Sequence, residues 1–124
     1  MNVTLWILQV LLAAIFAGSG TSKISMSRQR LLDTGQTGIA VYPMPVVRFT
    51  AACELLAAVG VILPWATGIA RVLTPLAAVG LCLVMIGAAT AHAKLREPRN
   101  VAINAVLFAM ALTVAVGRLN DLAG

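Results

Sequence analysis

Charge is what this chain has least of. Only 10% of its 124 residues are Asp, Glu, Lys or Arg, against about 25% in a soluble globular domain. An ordinary water-exposed surface is thereby excluded. Acidic side chains are scarcest, with Asp33, Glu54, Glu97 and Asp121 making up the full set of four. The single histidine, His92, excludes bis-histidine haem ligation within the chain. It has no second His, Cys or carboxylate at ligand spacing, so no metal site is expected. Cys53 and Cys82 do not form a C-x-x-C pair, which leaves a thioredoxin-like couple unsupported and apolar packing as the expectation for both. Nucleophile-elbow, phosphate-loop, HExxH and EF-hand patterns are all missing, and no catalytic residue is assigned.

What the chain does have is apolar length. Sixty per cent is hydrophobic and the mean hydropathy is +0.97. Each bilayer crossing takes about 20 residues, so four spans with short connections nearly exhaust a single domain covering residues 1–124. The expected fold class is all-α, an integral membrane four-helix bundle with spans at 2–22, 46–63, 69–93 and 99–118. The first span ends in small residues, as a secretory signal does. It lacks a basic leader, however; its positive charges follow at Lys23, Arg28 and Arg30, and it is read as a retained helix. Pro43 and Pro45 suit a helix entrance, Pro64 is expected to close the second span, and Glu97 and Pro98 open the fourth.

Four crossings put the 24–45 loop and the 94–98 connection on one side. Lys23, Arg28, Arg30, Arg48, Lys94, Arg96 and Arg99 lie near that face, against Arg71 and Arg118 on the other. The positive-inside rule therefore makes both loops cytoplasmic and both termini extracytoplasmic. The net charge of +5 and pI near 10.3 do not indicate nucleic acid, because the basic residues flank spans without interleaved aromatics; anionic lipid headgroups are the expected partners. Trp6 and Trp65 read as interfacial anchors. Within the longer loop, residues 27–33 suit either one or two turns of interfacial helix, with Leu31 and Leu32 dipping toward lipid, or a disordered polar loop. Small-residue stripes at Ala14/Gly18/Ser22, at Ala57/Gly60 and at Gly80/Gly87/Ala91 mark faces on which helices are expected to touch.

Against this background Glu54 is the strongest functional clue. It lies nine residues beyond Pro45, about 13 Å into the membrane along a helix rising 1.5 Å per residue. Intramembrane carboxylates are costly, face a bundle interior or cavity, and need a partner. Lys23 and His92, near the ends of the first and third spans, and Asn100 and Asn104, opening the fourth, fall in the same half of the bundle. Either Lys23 or His92 can pair with Glu54; Arg48, six residues away, sits on another face of its helix. Glu54, Lys23, His92 and Asn104 are thus the candidate ligand or proton-relay residues. The structural alternative is a buried polar group that only fixes helix register.

Residues 16–23 (FAGSGTSK) end the first helix as DoxX-like membrane proteins do, and residues 48–64 (RFTAACELLAAVGVILP) resemble their second helix, with its Glu-Leu-Leu and closing Leu-Pro. The third helix, from residues 73–78 (LTPLAA) to His92, is similar as well, so that the resemblance spans essentially the whole chain. It implies a four-helix protein of the bacterial plasma membrane in which Lys23, Glu54 and His92 match recurring polar positions. It also implies redox surroundings: thiosulfate or quinol oxidation, complexes with superoxide dismutase and a sulfurtransferase, and, among distant relatives, chaperoning of membrane proteins. Ala52, Cys53 and Ala57 stand where the family often has Gly, and are expected to narrow a pocket there.

Three functions follow as expectations. The first is an accessory, non-catalytic subunit whose polar pocket binds a quinone-like ligand, with Glu54 taking or relaying a proton and Lys23 or His92 orienting it. No intrinsic cofactor is expected beyond such a quinone. The second is a scaffold or assembly chaperone for a larger membrane partner. The third is a small-solute transporter that works as a homo-oligomer.

Overall fold

Four helical stretches long and apolar enough to cross a membrane dominate the structure, a computed structural model that describes residues 2–124. Met1, counted in the expected domain, lies outside the described residues. In chain order the elements are α1 (Asn2–Ser25), α2 (Arg28–Asp33), a 3₁₀ helix (Thr37–Val41), α3 (Met44–Gly60), α4 (Leu63–Thr67), α5 (Leu73–Lys94) and α6 (Pro98–Ala123). No strand occurs among the described residues, and the fold is an all-α membrane four-helix bundle.

Proline chemistry shapes the second crossing. Pro64 has no N–H, so the Gly60 carbonyl four residues earlier is left without its helical donor. The Thr74 hydroxyl supplies one instead, at 2.9 Å, and Gln9 Nε2 donates to the neighbouring Val61 carbonyl at 2.6 Å. With those carbonyls satisfied from other helices, the helical path is interrupted ahead of Pro64 rather than closed there. It turns into α4, whose first turn holds that proline, and ends at Gly68 with φ +74°. The stretch Met44–Thr67 thus forms one interrupted crossing, and α5 starts only at Leu73, after the turn.

The membrane helices pack in the cyclic order α1, α3, α5, α6. Water provides no drive for this packing inside lipid, so close van der Waals fit and small residues must provide it. Leu12, Phe16, Leu81, Met85, Ala111 and Val114 fill the centre. Val3, Leu56, Leu76 and Val106 point outward, as lipid requires.

Helix rotation differs from the expected small-residue face of α1. Ala14 and Gly18 are exposed, with nothing within 4 Å of a Cβ built on Gly18, whereas Gly20 is buried against α3. A Cβ at Gly20 would fall 2.9 Å from the Ala51 carbonyl oxygen and 2.8 Å from Leu55 Cγ. Gly20→Ala is therefore expected to destabilise the bundle by about 1–3 kcal/mol through overpacking. Gly18→Ala should stabilise it by up to about 1 kcal/mol. Unfolding of the two variants in bicelles checks the contrast, and equal effects would refute this rotation of α1.

The 26–45 loop is ordered. Ser27 caps α2 by accepting from the Arg30 N–H. Leu31 does not dip toward lipid as one sequence reading had it; it is fully buried against Ile39 and Val47. A hydrophobic contact inside the protein is available to it because the 3₁₀ helix folds back over the bundle end. Arg28 holds that return, donating to the Ala40 and Tyr42 carbonyls at 3.1 and 3.0 Å.

Candidate functional site

The close approach at Gly20 brings the last turn of α1 onto the middle of α3. There Lys23 Nζ meets Glu54 Oε1 at 2.9 Å. The carboxylate is wholly buried, while 17% of the lysine side chain remains accessible. Of the two partners open to Glu54 in sequence, the structure selects Lys23. Arg48 serves neither; its Nη1 donates to the Lys23 carbonyl at 2.7 Å and caps α1.

Beside this pair a cavity of about 460 Å³ opens between α3, α5 and the 3₁₀ helix. Val46, Phe49, Leu83, Val84 and Ala88 give it apolar walls, and Lys23, Thr50, Cys53, Glu54, His92 and Asn100 give it a polar end. Tyr42 ties the 3₁₀ segment to α5, its hydroxyl donating to the Gly87 carbonyl at 2.8 Å.

His92 lies at the same end but pairs elsewhere. Its Nδ1 is 2.7 Å from Glu97 Oε1, which also accepts from the Thr37 hydroxyl at 2.9 Å and from Asn100 Nδ2 at 3.3 Å. The hydrogen bond to His92 is the main cause holding the Glu97 carboxyl below its ordinary range, followed by that from Thr37. Glu97 thus gathers the 3₁₀ helix, α5 and α6 at one oxygen.

A model of the DoxX-like family matches residues 7–114. The chain belongs to the DoxX-like family. No curated protein and no solved structure matches it.

In this DoxX-like protein three of the four candidate residues, Lys23, Glu54 and His92, border one cavity, and the fourth does not. Asn104 is buried between α5 and α6, where its Nδ2 lies 3.6 Å from Met85 Sδ and its Oδ1 has no partner. Asn100, one turn earlier, takes its place at the cavity. Glu97 was legible only as a helix entrance. Its role becomes visible once α6 is laid beside α5, because five residues separate it from His92 around a tight connection in which Arg96 adopts φ +57°.

Sequence reading also missed a second polar node at the other end of the DoxX-like bundle. Arg118, counted as an interfacial charge, is 1% exposed. Its Nε donates to Gln9 Oε1 at 2.7 Å and its Nη1 to Asn2 Oδ1 and Asp121 Oδ2, both at 2.9 Å. The guanidinium stacks 4.5 Å from the Trp65 ring centre and 5.6 Å from that of Trp6. Both tryptophans therefore have an inward partner besides any interfacial role. The central layer of Leu12, Phe16, Leu81 and Val114 separates the two nodes. Cys53 and Cys82 are free thiols, the first at the cavity wall and the second in the core. Among the described residues no group of His, Cys, Asp and Glu has the arrangement of a metal site.

Proposed function

We propose that this DoxX-like protein is an accessory subunit of the bacterial plasma membrane, with both termini outside. It binds a small quinone-like molecule in the α3–α5 cavity and supports a membrane redox complex. One observation carries the reading: an apolar cavity in the membrane half of a helix pair ends on a buried Lys23–Glu54 ion pair. Phe49 and Leu83 line that cavity yet are 71% and 65% exposed on the lipid side, which suits entry from the bilayer. The volume falls in the range of small-molecule pockets, about 300–1,000 Å³. Lys23 retains two ammonium protons beyond its bond to Glu54, enough to hold a carbonyl or hydroxyl oxygen.

A scaffold function has its own support in Ala14 and Gly18, small residues that face outward on α1 and suit a partner helix. Native mass spectrometry separates the two. The wild type is expected to retain one small lipophilic molecule, and Thr50→Trp, which fills the cavity, to lose it. A ligand-free wild type that co-purifies with a stoichiometric membrane protein, and loses that partner on Gly18→Leu, would overturn the pocket reading in favour of the scaffold.

A further inference from the structure

The Lys23–Glu54 pair is poorly placed for proton exchange with a cavity ligand. Glu54 is fully buried, and its Oε2, although without a hydrogen-bond partner, is sealed from any probe the size of water. Its Oε1 is occupied by the Lys23 ammonium. The group at the cavity that has a free ring nitrogen able to take or give a proton is the imidazole of His92.

Which nitrogen is free follows from the partners. An ionised carboxylate only accepts hydrogen bonds, so the Nδ1 that faces Glu97 at 2.7 Å must carry a proton. In the neutral ring Nε2 is then a bare lone pair. Nε2 takes no hydrogen bond within the protein and is not sealed off, and it belongs to a ring that borders the cavity. Its other neighbour is Gly38. A Cβ there would stand 3.1 Å from Nε2 and 3.2 Å from Cε1, so the lack of a side chain at this position keeps the ring edge clear.

We propose that His92 is the proton-exchanging residue of the cavity, oriented by Glu97 through Nδ1 so that Nε2 takes the proton of a hydroxyl-bearing lipophilic ligand. The inference rests on the cavity being a ligand site. In the transfer the ligand O–H bond breaks as the Nε2–H bond forms, the electron pair stays on the ligand oxygen, and no oxidant or reductant takes part. The imidazolium so formed is compensated by Glu97, and the ligand oxyanion by the ammonium of Lys23 on the same cavity. The surroundings favour this charge distribution. Lys23 comes from α1, Glu54 from α3, and Glu97 with the neutral Asn100 from the start of α6. The 3₁₀ helix contributes no charged residue, and Lys94 of α5 and Arg99 of α6 are exposed to solvent.

Since the chain has one histidine, ¹⁵N-histidine labelling of the whole protein in nanodiscs gives a single pair of ring signals that need no assignment. The neutral ring of the free protein is expected as the Nδ1–H tautomer, and Glu97→Gln is expected to mix the two tautomers. The matched probes are 4-octylphenol and 4-octylanisole, its methyl ether. The phenol should bind roughly five- to tenfold more tightly, the worth of one net hydrogen bond, and should move the Nε2 signal alone. Gly38→Ala should erase that preference while leaving the Nδ1 signal in place. Predominance of the Nε2–H tautomer in the wild type overturns the proposal. So does equal binding of both probes without an Nε2 response, in which case the cavity remains a ligand site. Failure of both probes to bind overturns the cavity reading itself.

Discussion

Lys23→Met is expected to lower the stability of the protein by about 3–5 kcal/mol, the cost of leaving one member of a buried ion pair alone. The size of the effect comes from Glu54, which is inaccessible and already has one oxygen, Oε2, without a partner. Removing the ammonium at 2.9 Å strands the other oxygen as well. No nearby base can substitute, because Arg48 is committed to the Lys23 carbonyl and His92 to Glu97. Exchanging both partners together, as Lys23→Met with Glu54→Leu, should restore most of the loss, since an apolar pair needs no compensation. The double-mutant cycle, measured by reversible unfolding in bicelles, tests the pairing directly. Additive losses in the double variant would show that the two residues do not act as a unit.

At the opposite end, Arg118→Met is expected to cost about 3 kcal/mol. Methionine fills much of the volume but donates nothing, so the buried Gln9 Oε1 loses its donor at a typical cost of about 1–3 kcal/mol, and the exposed Asn2 loses a bond of smaller worth. The exposed Asp121 contributes little. Loss of the guanidinium between Trp65 and Trp6 adds about 0.5–2 kcal/mol. The chain has two tryptophans, and both contact this cation, so their fluorescence should shift together with the unfolding midpoint. Arg71→Met is the control: Arg71 also lies over Trp65, at 5.0 Å, but is exposed, and its loss should change stability by less than about 0.5 kcal/mol. Equal effects of the two substitutions would refute the inward node.

The contrast between these two sites shows how much of the protein was legible in its sequence. Apolar run length alone is enough to identify four crossings, because bilayer thickness fixes the number of residues that each requires. Glu54 stands out for the same reason, as the carboxylate deepest in such a run. What run length does not contain is the rotation of each helix about its axis. Lys23 and Arg118 both end apolar runs, and a long basic side chain there can snorkel outward or turn in. Lys23 turns toward Glu54 because Gly20 lets α1 and α3 approach, and Arg118 turns toward Gln9 because the break at Pro64 draws Gln9 to a free carbonyl. Neither cause is local to the residue it affects. The same rotation puts Gly20 inside and Gly18 outside, although the spacing of small residues fits either face. The fold of the 26–45 loop depends likewise on a long-range contact, Leu31 with Val47, so its two sequence readings had no local signal to separate them.

The layer of Leu12, Phe16, Leu81 and Val114 acts as an electrical septum. It offers no polar atom to carry a proton or a chain of water from the cavity to the Arg118 node. For a molecule in the proposed site, the polar groups at hand for proton exchange are thus those at the His92 end of the bundle. Coupled to electron transfer in a redox complex of the kind proposed above, exchange at that one end would make the chemistry at this cavity directional with respect to the two compartments.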